Sequence, residues 1–199
     1  AFDSCYMGVL ETMHQFRGFA DYALVSSTVV DATGYPYKPI VANLIAKGPA
    51  LDPALSADMI RNEYNSHYEK LGRLKRRYLF SCDLTRIGAC AGALNGLGRE
   101  ISKLLDADTP ERRVRTALEE VHLAAHADAS YVGVLIFLKK LLRRFEAIAD
   151  AAAYAKLKAS AEVLHSNVVQ AFAGPLGASG TVPTSPLIWC PVNKHEFNS

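Results

Sequence analysis

Two short runs, "DYALVSSTVV" at 21–30 and "RRYLFSCDL" at 76–84, constrain the fold of this chain more than any other feature. Both are rich in β-branched or aromatic side chains and bounded by turn residues or charges, so each reads as a buried strand. Between them, "DATGYPY" is a loop broken by Gly34 and Pro36, and helices are predicted over 39–46 and 54–71. Ahead of them, "AFDS" reads as the tail of a strand. "YMGVLETMHQFR" then places Val9, Leu10, Met13 and Phe16 at helical spacing, with Gly18 as a stop. Asp83 or Thr85 is placed to cap the next helix. Strands alternating with helices define an α/β lead-in.

From 85 to about 172 the pattern changes to Ala- and Leu-rich sequence that reads as nearly continuous helix. Thr109 and Pro110 form an N-cap with proline at the first helical position. Val134, Leu138, Leu141, Phe145 and Ile148 share one helical face, and Lys139, Lys140, Arg143 and Arg144 the other. "AGPLGASGTVPTSP" is a linker, and "LIWCP" reads as a last buried strand returning to the sheet. The expected organisation is an α/β core over 1–84, a helical subdomain over 85–172, and a linker with returning strand over 173–199.

Composition removes several function classes. The net charge of the 199 residues is +2, which gives no overall field toward nucleic acid or membrane. The longest apolar run, "YVGVLIFL", is far short of the roughly 20 residues of a membrane span. Cys5, Cys82, Cys90 and Cys190 form no CxxC pair and no Cys/His cluster with zinc spacing, so free thiols are expected and a structural metal is not. The basic runs "RLKRR" and "KKLLRR" lack interleaved aromatics and read as solvated faces, not a nucleic-acid site.

The chemistry concentrates at Cys5. A cysteine at the carboxyl end of a strand, with a helix at once behind it, faces the crevice of a parallel α/β sheet. It also meets the free N–H groups of the helix, which favour thiolate. Gly8 allows close packing of the turn. A small buried thiol in a strand-to-helix turn is the competing reading, and the residues alone leave both open.

"FDSCYMGVLET", "ADYALVSS" and "GYPY", in this order and spacing over 1–37, resemble the clostripain family of cysteine peptidases. "YLFSCDLT" and "PLIWCP" are similar to later strands of that family, whereas the helical middle carries no specific motif. The resemblance implies a caspase-like fold (clan CD), a mostly parallel sheet flanked by helices, with Cys5 as nucleophile in a Cys-His dyad. A histidine followed by glycine, on the strand before the cysteine strand, supplies the dyad in family members. None of the six histidines here stands in such a place. His14 is nine residues past Cys5, about 13 Å of helical rise. The dyad histidine is therefore expected in a segment upstream of Ala1, and the chain is expected to be inactive without it.

The resemblance further implies cleavage after Arg or Lys, with acidic residues receiving that side chain. Asp3 takes one of the two acidic positions, and Thr33 stands where the family has aspartate in its glycine loop. Asp31, two residues earlier, is a candidate to swing in, and Ser26 matches a serine that ends the next strand and can line the cleft. The expected partner is a peptide or protein substrate. No cofactor is needed for the chemistry; calcium, and a secreted or cell-envelope location, enter through the resemblance alone. Two other classes remain: a non-catalytic caspase-like scaffold, for which Thr33 would mark a relaxed pocket, and a helical interaction domain with an incidental α/β lead-in.

Overall fold

The computed structural model describes residues 1–27, 29–49, 51–73, 79–106, 111–128, 131–173 and 187–189. Helices α1 (Leu10–Phe16), α2 (Tyr37–Lys47) and α3 (Pro53–Lys70) alternate with strands β1 (Tyr22–Ser26) and β2 (Leu79–Asp83). Then follow α4 (Ile87–Asp106), α5 (Glu111–Ala125), a hairpin of β3 (His126–Asp128) and β4 (Tyr131–Gly133), and α6 (Val134–Phe145). α7 (Ala151–Ala171), β5 (Phe172–Ala173) and β6 (Leu187–Trp189) complete the order.

Local chemistry explains the boundaries. α3 begins where the Asp52 carboxylate accepts from Leu55 N–H at 3.0 Å, with Pro53 as its first residue. α7 begins at Asp150, whose carboxylate accepts from both Ala152 and Ala153 N–H at 2.9 Å. Asp83 leads the chain out of β2 by accepting from Thr85 N–H at 3.0 Å and from Arg86 Nε at 3.1 Å. The predicted cap at Thr109 and Pro110 lies outside the described residues.

β1 and β2 are buried on both faces, which suits their mainly apolar sequences. Ala23, Val25, Phe80 and Cys82 join the larger hydrophobic cluster, which runs through α1 and α4–α7 to Ile188. Leu24 and Leu79 point the other way, into a smaller cluster with Tyr35, Ile40, Ala57, Tyr64 and Tyr68 under α2 and α3. On the same side, Arg61 Nη1 donates to Ser81 Oγ at 2.9 Å and to Asp58 at 2.9 Å, so the buried Ser81 is satisfied.

The expected mostly parallel sheet is not formed by the described residues. β1 pairs antiparallel with β2 (Leu24 opposite Ser81), and β2 antiparallel with β5. A single crossover helix would leave two successive strands parallel. Two helices, α2 and α3, connect β1 to β2, so the chain can return to the edge it left and β2 runs back. The last strand also departs from expectation. β6 pairs with β4 in a second sheet of order β3-β4-β6, and the place beside β2 is taken by β5.

Candidate active site

Phe2 N–H donates to Leu24 O at 2.9 Å, and Gly8 N–H to Ser26 O at 2.8 Å. Seven residues (Phe2 to Gly8) on one side thus oppose three (Leu24 to Ser26) on β1, and the excess chain stands out as a loop carrying Asp3, Cys5 and Tyr6. Phe2 and Met7, at its two feet, pack against the larger cluster, and the Phe2 ring meets Phe16 edge-on at 4.9 Å. Tyr6 holds φ at 55°, a left-handed conformation that costs a non-glycine residue about 1–2 kcal/mol. Such strain gathers where a loop must present one side chain, here the exposed Cys5.

Two sequence expectations change at this point. Ala1–Ser4 follows β1 in the same direction without forming a regular strand, so Cys5 sits in a turn. α1 begins only at Leu10, after an extended Val9 whose apolar side chain can make no cap, and the Gly8 amide is bonded to Ser26 O. No amide of α1 bonds the thiol among the described residues. Instead, Val30 N–H donates to Cys5 Sγ at 3.3 Å.

Val30 enters a tight turn that gathers the remaining polar residues. Gly34 N–H donates to Asp31 O at 2.8 Å, and Gly34 has φ +65°. The Asp31 carboxylate accepts from Thr33 N–H at 3.0 Å and Thr33 Oγ1 at 2.8 Å on one oxygen, and from Arg73 Nη1 at 2.8 Å on the other. These bonds, Thr33 foremost, hold the Asp31 carboxyl below the usual carboxylate range. Tyr68, fully buried on α3, pins the turn by donating to Gly34 O, and its oxygen lies 3.0 Å from Thr33 Oγ1.

Asp3 reaches the far end of the same turn. A Cβ on Gly34 would lie 2.7 Å from Asp3 Oδ2, so only glycine lets the carboxylate in. Tyr37 O–H donates to that oxygen at 2.7 Å, and this bond raises the Tyr37 phenol above its ordinary value. Tyr35 O–H donates to Phe2 O at 3.3 Å, and burial first, then Tyr64 and Asp3, push its phenol up as well. Cys5, Asp3, Asp31 and Thr33 are thus brought to one turn. Ser26 is buried at the end of β1, with its carbonyl under Gly8, and Ser27 beside it is also buried.

Sequence reading missed Tyr37, Tyr68 and Arg73, whose partners lie 34 to 42 residues away in the chain. The final Tyr of "GYPY" was the available signal for Tyr37. Among the described residues, no histidine bonds to Cys5. His67 packs edge-on against Tyr68 at 5.1 Å, His122 is buried in α5, and His165 is exposed on α7. His195 lies outside the described residues. No group of three or more metal-binding side chains occurs among them either.

An exposed thiol on a strained loop and two carboxylates thus meet at one turn over a helix-covered sheet. The sequence profile of the clostripain family matches residues 1–187, and the chain belongs to that family. A solved structure described as "B. fragilis cysteine protease" shares the fold with a TM-score of 0.52 at 13% identity. The alignment covers 96% of this chain and 76% of that one. No curated protein sequence matches the chain.

Proposed function

We propose that Cys5 attacks the scissile carbonyl of a peptide whose preceding side chain is Arg or Lys, with Asp3 receiving the positive charge. The reading is carried by one observation above the rest: the thiol and the Asp3 carboxylate are fixed to the two ends of the 31–34 turn. Val30 N–H holds the sulfur at one end, and Gly34 admits the carboxylate at the other. The attack forms a C–S bond and a tetrahedral oxyanion. Collapse expels the amine, which must be protonated as it leaves, and water then releases the acyl group. A histidine supplied by a segment preceding Ala1 takes the thiol proton as the sulfur attacks and gives it to the leaving amine.

The test joins the upstream segment to this chain, in one polypeptide or as a separate piece. Peptides varied only at the residue before the cleaved bond should be cut after Arg in preference to Lys. A guanidinium can meet one carboxylate through two bonds, and an ammonium cannot. Cys5→Ala should abolish cleavage, and Asp3→Asn should lower kcat/KM on basic substrates by roughly 10- to 100-fold. Preference for an acidic or neutral residue would remove Asp3 from this role, and full activity without the upstream segment would refute the missing histidine.

A further inference from the structure

Two carboxylates stand near Cys5, and their surroundings differ. Asp31 is spent: one oxygen takes both Thr33 bonds, the other takes Arg73, and its side chain is 13% exposed. Asp3 is exposed, and among the described residues only its Oδ2 accepts a hydrogen bond, from Tyr37, which leaves Oδ1 open.

Arg73 is delivered to Asp31 by the end of α3. Gly72 at φ +68° turns the chain, Gly72 N–H donates to Glu69 O at 2.9 Å, and Arg73 N–H to Tyr68 O at 2.8 Å. This is the paired-bond termination of a helix with a left-handed glycine just past its end. The backbone of Tyr68 therefore fixes Arg73, while its side chain fixes the turn that carries Asp31.

We propose that Arg73 is a specificity-determining residue: by occupying Asp31 it leaves Asp3 as the carboxylate that meets the substrate's basic side chain. The inference rests on the basic-substrate reading above and assigns the charge of that pocket. Arg73 places its own guanidinium on Asp31, one residue from the amide that holds the thiol. Releasing Asp31 adds a second acid to the pocket without touching Asp3 or Cys5.

The experiment uses the chain with its upstream segment and compares wild type, Arg73→Ala, Arg73→Gln, Arg73→Lys and the double variant Arg73→Ala/Asp31→Asn. Arg73→Ala and Arg73→Gln should lower KM on Arg and Lys peptides about tenfold, with kcat moving much less, because a second charged hydrogen bond strengthens binding. Arg73→Lys, which keeps a cation on Asp31, should change KM less, and the double variant should lose the gain. A second readout needs no turnover: methylguanidine should protect Cys5 from iodoacetamide at about tenfold lower concentration in Arg73→Ala than in wild type. If wild type cuts after basic residues and the KM of Arg73→Ala is unchanged or raised, or if the double variant keeps the gain, Arg73 has no such role. If no variant cuts after basic residues, the substrate reading fails by itself. Arg73 is then judged by protection, which supports it when improved in Arg73→Ala and overturns it when not.

Discussion

A Cβ on Gly8 would stand 2.8 Å from Ser27 Oγ and 3.2 Å from the Ser26 carbonyl. The Cys5 loop can close onto β1 only because that side chain is missing. Gly8→Ala should therefore cost about 1–3 kcal/mol in chemical denaturation and displace the thiol, slowing its alkylation. The thiols themselves are unequal. Burial raises Cys82, and it pushes Cys90 up to about 11, so both stay protonated at neutral pH. In a Cys190→Ser background, which removes the cysteine outside the described residues, iodoacetamide at pH 7.5 should label Cys5 alone until the protein is unfolded. Rapid labelling of Cys90 in the folded state would contradict that burial. The buried thiols also set an alkaline limit. Unfolded cysteines ionise near their ordinary value while the folded ones keep their protons. Stability is therefore complete below about pH 8 and falls as pH rises through the ordinary thiol range toward 11. Gly8 was legible as a close-packing residue of the turn because that chemistry is local. Cys5 was singled out by the resemblance, and its local reading, at the end of a strand against a helix, gave way to an exposed turn. The hold of Tyr37 on Asp3 joins residues 34 apart and leaves no local trace.

At the scale of elements, the glycine that ends α3 matters more than its position suggests. Gly72→Ala strains a left-handed residue by about 1–2 kcal/mol and loosens the delivery of Arg73. The same variant should shift KM on basic peptides in the direction of Arg73→Ala, by a smaller factor; an opposite shift would separate the helix end from the pocket. The helices predicted over 39–46 and 54–71 lie within two residues of α2 and α3, whose observed bounds are set by the Asp52 cap, Pro53 and the left-handed Gly48 and Gly72. It placed β1 and β2 through their apolar runs, but not their direction, which depends on how many helices return the chain. The β3–β4 hairpin was absorbed into predicted helix because three-residue strands in "HADASYVG" show no period. β5 was lost at the end of α7 for the same reason.

The whole molecule is organised by a sheet with a different core on each side. Phe80, Leu141, Phe145, Leu157 and Leu164 belong to the larger cluster, which draws residues from Leu10 to Ile188, and α4 and α7 make its most extensive helix contact. Leu157→Ala should cost about 2–5 kcal/mol and lower a single thermal transition rather than split it, since the cluster leaves no seam between the first and second halves of the chain. The smaller cluster has Tyr35, Tyr64 and Tyr68 at its centre, with ring centroids 4.7–5.0 Å apart. The feet of the Cys5 loop lean on the large cluster, whereas the turn bearing Asp31 and Gly34 hangs from the small one. The loop that carries Cys5 and the turn that meets it thus answer to different reservoirs of stability. Amide hydrogen exchange should release the tyrosine layer in mild urea while β1 and α7 stay protected. In that interval Cys5 would keep the footing of its loop and lose the Val30 amide that holds its sulfur.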